Sequence, residues 1–211
     1  MKRIPILLAA VLAAGTLAAC GSNDTKSTTA KSTATAKSTP TASASPSTTA
    51  GSHNAADVMF VQGMIPHHQQ AIEMAALAAS RASNPQVKKL AEQIRGAQDP
   101  EITTMKGWLR QWGQPTAMSS TGHDMGSMSG PTSSITGMMS GRQMSTLSGL
   151  SGKAFDQAFL TEMTVHHQGA IMMARQVQRN GKDSGVKQLA GNIVTGQTAE
   201  IATMANLLKQ A

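Results

Sequence analysis

Apolar positions recur at three- and four-residue intervals along two long stretches of the chain. In the first, with Met64 set at 0° and about 100° advanced per residue, Ala71 falls near 340°, Met74 near 280° and Ala75 near 20°. Asp57 and Phe60 lie on the same arc. His67 and His68 fall on either side of the line through Met64 and Ala71, because adjacent residues on a helix cannot point the same way. The "SNPQ" at Ser83–Gln86 ends this element. A second apolar stripe follows, made of Val87, Leu90, Ile94, Gln98, Glu101, Met105 and Trp108. The pattern predicts two antiparallel helices. Pro66 lacks a backbone donor and predicts a bend in the first of them.

The same pattern returns 99 positions later without a gap. Asp57 aligns with Asp156, Phe60 with Phe159, Met64 with Met163, and His67-His68 with His166-His167. Ile94, Gln98, Glu101 and Met105 align with Ile193, Gln197, Glu200 and Met204. "GKDSG" at Gly181–Gly185 breaks the second unit as "SNPQ" breaks the first. The repeat reads as an internal duplication of a helical hairpin. Two such hairpins predict an all-α, four-helix bundle. The glutamates on the apolar stripes, Glu101 and Glu200, need partners if buried, and the histidines of the neighbouring helix are the available ones.

The expected boundaries follow from composition. Residues 53–112 form the first hairpin and 145–211 the second. Between them, 113–144 is a Gly/Ser-rich linker dense in methionine, with His123, Met125 and Met128 among its donors. Residues 20–52 are rich in Ser, Thr, Ala, Lys and Pro and have almost nothing to bury, which predicts a disordered tether reaching about 30 Å. Residues 1–19 carry a basic end and an apolar run, as a secretory signal does. Leu17-Ala18-Ala19-Cys20 resembles the bacterial lipobox, which implies cleavage before Cys20 and lipid attachment to its sulfur. The expected location is outside the cytoplasm, on the outer face of the cell membrane or in the periplasm, anchored through Cys20.

Charge and composition narrow the chemistry. The net charge is +7, but no basic run is interleaved with aromatics and tyrosine is absent, so nucleic acid is not an expected partner. Cys20 is the single cysteine, which leaves no disulfide and no thiolate cluster. No nucleophile–base arrangement or phosphate loop is present, and no enzymatic activity is expected.

What stands out is imidazole beside thioether. Such donors suit copper, the thioether favouring Cu(I), and a thioether is never blocked by a proton. Met64, His67 and His68 are spaced so that three donors can converge from one turn, and Met163, His166 and His167 repeat the set. Met74 and Met173, further along the same stripes, are candidate metal ligands as well. Glu101 and Glu200 are candidate outer partners that orient the imidazoles. His123, Met125 and Met128 offer a separate site in the linker. The expected ligand is a copper ion, Cu(I) or Cu(II). Two other readings compete. In one, the histidines are a buried polar network of a non-catalytic envelope bundle that binds a protein partner or a second copy of itself. In the other, the bundle is a di-iron oxidase; that chemistry calls for Glu-x-x-His pairs, whereas Glu162 stands four residues before His166.

"FVQGMIPHHQQAIEMA" and "FDQAFLTEMTVHHQGAIMMA", each followed by a "Q..EI..M" segment, resemble the bacterial domain-of-unknown-function family 305 over about residues 55–211. The resemblance implies a ferritin-like bundle exported to the envelope. It also implies a link to copper, since some members are associated with periplasmic copper binding and resistance. Gln70 replaces the glycine of "HHQG" in the first copy, and Pro66 precedes that histidine pair. The two copies therefore differ close to their histidines.

Overall fold

The computed structural model describes residues 52–116 and 135–210. The signal, most of the tether, Cys20 and the linker donors His123, Met125 and Met128 lie outside the described residues. Among the described residues there are five helices: α1 (Ala55–Arg81), α2 (Pro85–Gln111), α3 (Gly141–Gly149), α4 (Gly152–Asn180) and α5 (Ser184–Leu208). Four of them are the predicted ones, packed as a ferritin-like bundle of two hairpins, α1–α2 and α4–α5. The short α3 is an addition, opened by a capping box between Ser140 and Gln143. No described helix is long and apolar enough to cross a membrane.

Capping explains where the helices begin. Asn54 caps α1 in a reciprocal box with Asp57. Asn84 caps α2, whose first residue is Pro85, a position where the missing donor costs nothing. Asp183 caps α5 by accepting from the amides of Gly185 and Val186. Helix α1 is a single element of 27 residues that continues through Pro66.

The two hairpins pack mainly through α1 against α4, while α2 and α5 touch much less. The core separates into two apolar clusters, one at each end of the bundle. One holds Ala71, Met74, Ile94, Phe159, Met163 and Met204, with Leu147 of α3. The other holds Phe60, Met64, Ile102, Met105, Ala174 and Ile193. Each cluster draws on all four long helices, and each is the other's image under the duplication. Between them lies a buried polar layer of His67, His68, Gln98, His166, His167 and Gln197, one or two residues from the middle of each helix.

The hairpins are also tied at their ends by two buried carboxylates. Asp57 of α1 is fully buried and accepts from the amides of Lys182 (2.9 Å) and Asp183 (3.1 Å) in the α4–α5 turn. Asp156 of α4 does the same for the α1–α2 turn, accepting from Asn84 N (3.0 Å), Ser83 N (3.2 Å) and the Ser83 hydroxyl. The duplication thus makes each hairpin hold the other's turn.

Gly181 belongs to this clasp for a steric reason. A Cβ there would stand 2.4 Å from Oδ1 of Asp57 and 2.7 Å from the Val177 carbonyl. Ala82 fills the matching place in the first turn, where ψ is 139° rather than 161°. Gly181→Ala should therefore destabilise by about 1–3 kcal/mol, the usual cost of overpacking, read as a lowered Tm in a thermal melt. An unchanged Tm would mean the turn relaxes to the Ala82 geometry without cost.

Candidate metal centre

The four paired histidines sit at the bundle's middle, but the structure does not bring together the two rings of each pair. His67 and His68 have ring centroids 6.4 Å apart, and His166 and His167 likewise. The approximately 100° between neighbours on a helix sends them to different partners. His67 meets His166 across the α1–α4 interface, with centroids 3.7 Å apart and planes tilted by 40°. The closest pair is therefore formed between the two copies, on the axis that relates them.

The outer rings are anchored. His68 Nε2 lies 2.7 Å from Glu101 Oε2, and His167 Nε2 lies 2.7 Å from Glu200 Oε2. Both rings are fully buried, while the glutamates are partly exposed. A ring that donates from Nε2 to a carboxylate keeps a lone pair on Nδ1, and that atom has no protein partner in either His68 or His167. Such a carboxylate–imidazole arrangement orients metal-ligating histidines and raises their basicity.

The inner rings are bare. All four nitrogens of His67 and His166 are buried without a hydrogen-bond partner. Burial, reinforced by the neighbouring His68 and His167, lowers the His67 pKa from 6.5 to about 3. The Thr136 backbone approaches the His67 ring and opposes this weakly, without reaching hydrogen-bond geometry. Burial drives His166 still lower, with the nearby histidines adding to it. Both rings are therefore neutral at physiological pH, the form that ligates metals. Buried polar groups in folded proteins are almost always satisfied, so these bare imidazoles are the groups of the bundle with free capacity to bind a ligand.

This has a consequence for acid stability. The unfolded chain takes up protons on these rings near pH 6.5, whereas folded His67 does so only near pH 3. Between those values the unfolded state holds more protons, so stability falls as pH falls, by up to about 1.4 kcal/mol per pH unit for each ring. Calorimetry in the presence of a chelator should show Tm dropping steadily from pH 6.5 towards 4. A flat profile over that range would show that the rings are charged or paired in the fold.

The thioethers flank this layer. Met64 and Met163, each three residues before an inner histidine, are fully buried in opposite apolar clusters. Met74 is also fully buried, and Met173 is partly so. Among the described residues, no three His, Cys, Asp or Glu side chains are grouped to hold an ion. The carboxylates that reach this layer are Glu101 and Glu200, each paired with an outer histidine. The donors that the geometry brings together are the two inner imidazoles, an uncharged pair, with Met64 and Met163 three residues before them on the same helices. The ring faces of His67 and His166 are in contact, and imidazole lone pairs lie in the ring plane, so an ion would be held at the ring edges.

The family model for Domain of unknown function (DUF305) matches residues 57–208. The chain belongs to the DUF305 family. Its bundle resembles a crystal structure from Streptomyces coelicolor of a DUF305 protein assigned as secreted. That likeness has 31% identity over 74% of this chain and 93% of the other, with a TM-score of 0.64. A DUF305 fragment from Deinococcus radiodurans is 32% identical over 75% of this chain and 98% of its own, with a TM-score of 0.65. CopM in its Cu(II)-bound form is 34% identical over 73% and 96%, with a TM-score of 0.61. CopM has also been solved with Cu(I) and with Ag bound. A stretch of 53 residues is 40% identical to the uncharacterized protein L153 of Acanthamoeba polyphaga mimivirus, and spans 35% of that protein's length. The structural neighbours of this chain thus include a DUF305 protein assigned as secreted, and CopM, which has been solved with copper and with silver bound.

Several features of the site are not evident from the helical wheel. Gln98 and Gln197 lie on the predicted stripes, and both are buried with side-chain atoms that find no partner. Residues Thr136–Met139 pack beside the inner histidines, against Gly169 and Gln70. In the sequence, Gln70 in place of the glycine marks only a difference between the two histidine sites, not a contact with this segment.

Proposed function

We propose that this chain is an exported, lipid-anchored copper-binding protein that sequesters Cu(I) at the middle of its bundle and carries out no catalytic step. Four residues would hold the ion: His67 and His166 as inner ligands, with Met64 and Met163 as flanking thioethers. His68 and His167 would present Nδ1 from behind, oriented by Glu101 and Glu200. Lipidated Cys20 would fix the protein to the outer face of the membrane, and the donors His123, Met125 and Met128 would deliver or receive metal. The observation that carries this reading is the pair of neutral, buried and unpartnered imidazoles. Ligation would satisfy their lone pairs at no cost in deprotonation. CopM, a neighbour at 32–34% identity that has been solved with Cu(I) and Cu(II), supports it. The soft, uncharged donor set favours the monovalent ion.

The test is a competition titration of the full chain with Cu(I) against a chromogenic chelator, run beside the His67→Leu/His166→Leu variant. The expected result is one tight site in the natural chain. Its affinity should fall in the variant by more than the ~10–100-fold that outer partners alone contribute. Unchanged affinity in the variant would move the site to the linker. Absence of binding in the natural chain would favour a structural bundle, for which the two short His–Glu contacts are the supporting observation.

A further inference from the structure

The buried histidines pose a problem of access: His67 is fully buried and His166 is 1% exposed. On one side of the α1–α4 pair the wall is not a helix. It is the short segment Thr136–Met139, which leads into α3. Its two attachment points are the residues three positions beyond each inner histidine, Gly169 on α4 and Gln70 on α1, which correspond to each other under the duplication.

The two attachments differ in kind. At Gly169 the segment lies directly on the helix backbone. A Cβ there would stand 2.1 Å from the Thr136 carbonyl oxygen, and one on Gly137 would stand 2.8 Å from the Gly169 Cα and 3.0 Å from the His166 carbonyl. Gly137 also has φ +88°, a conformation that other residues rarely adopt. At Gln70 the hold is a pair of hydrogen bonds. The Gln70 Nε2 donates to the Met139 carbonyl at 2.9 Å, and the Met139 amide donates to Gln70 Oε1 at 2.7 Å. The difference between Gln and Gly, at positions where the repeats otherwise agree, is what seats one segment across two related helices.

We propose that Thr136–Met139 is a removable cover over the histidine pair, latched by Gln70 and seated on Gly169, and that a soft metal ion reaches His67 and His166 when this cover lifts. The metal half of this statement rests on the function proposed above; the cover itself does not. The other walls are long, capped helices joined to apolar clusters, and opening them means opening the bundle. The cover is held by two neutral hydrogen bonds and one packed Met139, so it belongs to the parts of a protein that open locally. It brings two thioethers of its own, Met138 and Met139. Met172, three residues beyond Gly169 on α4, is 61% exposed. Soft donors are thus present on the surface, in the cover and beneath it.

The experiment uses the full chain without metal and the imidazole reagent diethyl pyrocarbonate, with the modified residue assigned by fragment mass spectrometry. In the natural chain His67 and His166 should react slowly. Gln70→Ala should speed both by about tenfold, because two neutral hydrogen bonds are lost. His68 and His167, held by their glutamates, should stay slow. Gly169→Ala, which wedges Thr136 off the helix, should give the same selective increase by an independent route. Binding of Ag(I) to Gln70→Ala should quicken by a similar factor with little change in final affinity. If the Met139 amide exchanges faster in Gln70→Ala while His67 and His166 remain as slow as before, access lies elsewhere and the cover is overturned. Equal acceleration of all four rings would mean global loosening and would overturn it as well. Selective exposure in a chain that binds neither Cu(I) nor Ag(I) would leave the cover standing and remove the copper reading.

Discussion

His67→Leu/His166→Leu should yield a metal-free protein that melts higher than the natural one. Each inner ring is buried with two unpartnered nitrogens, and an unsatisfied buried polar group costs about 1–3 kcal/mol. Leucine has a similar volume and no polar atoms. It would sit between the two existing apolar clusters and join them. Imperfect packing should take back up to ~1.5 kcal/mol, leaving a net gain on the order of 1–3 kcal/mol. For a domain of this size that corresponds to a rise of roughly 2–4 °C in Tm per kcal/mol. The variant should also lose the acid-induced fall in stability between pH 6.5 and 4, because the groups that cause it are gone. A protein that becomes more stable when it loses its ligand site is what a binding function maintained at the expense of stability looks like. The melt should be measured at pH 7 with a chelator, then repeated with one equivalent of Ag(I). The natural chain should gain stability from the ion by mass action, and the variant should gain none. If the variant instead melts several degrees lower without metal, the two rings are structural members of the core and the copper reading loses its main support.

Much of the architecture was legible because it is written in periodicity. The stripes Phe60–Met64–Ala71–Met74 and Val87–Leu90–Ile94–Met105 are buried as predicted. The turns fall at "SNPQ" and "GKDSG", and the glutamates on the apolar stripes do reach histidines of the neighbouring helix. The contact that matters most was hidden by the symmetry that revealed the fold. A helical wheel places His67 and His68 relative to their own helix and says nothing about which other helix each ring faces. The duplication makes His67 meet its own counterpart, and residues that match across repeats carry no mark of being neighbours. The end clasps were hidden in the same way. Asp57 sits on the apolar arc, but its partners are the backbone amides of Lys182 and Asp183, which have no side-chain signature. Thr136–Met139 has no period at all, and the sequence does not mark Gln70 as the residue that holds it.

Those clasps carry the largest expected effect on folding. Asp57→Ala should lower stability by about 3–5 kcal/mol, the range for removing one partner of a buried charged network. The carboxylate is fully buried, and Oδ2 alone accepts from the amides of Asn54 (2.9 Å), Lys182 (2.9 Å) and Asp183 (3.1 Å). Without it those donors are left unpaired, two of them in a turn that belongs to the other hairpin. Asp156→Ala should cost a similar amount, since it frees the amides of Ser83 and Asn84 and the Ser83 hydroxyl. Both acids stand near the N-terminal ends of their helices, 27 and 29 residues long, and each holds the turn at a different end of the bundle, which places them some tens of ångströms apart. Changes so distant should add within about 0.5 kcal/mol, so the double variant should lose most of the ~5–15 kcal/mol available to a domain. Denaturant melts of the two single variants and the double variant test this directly. The fold requires additivity, because each acid closes its own end of the bundle. A double variant no less stable than either single one would mean that losing one clasp already separates the hairpins. In that case the histidine pair, which exists only where α1 meets α4, should come apart as well, and Cu(I) binding should be weakened by either single change at either end of the molecule.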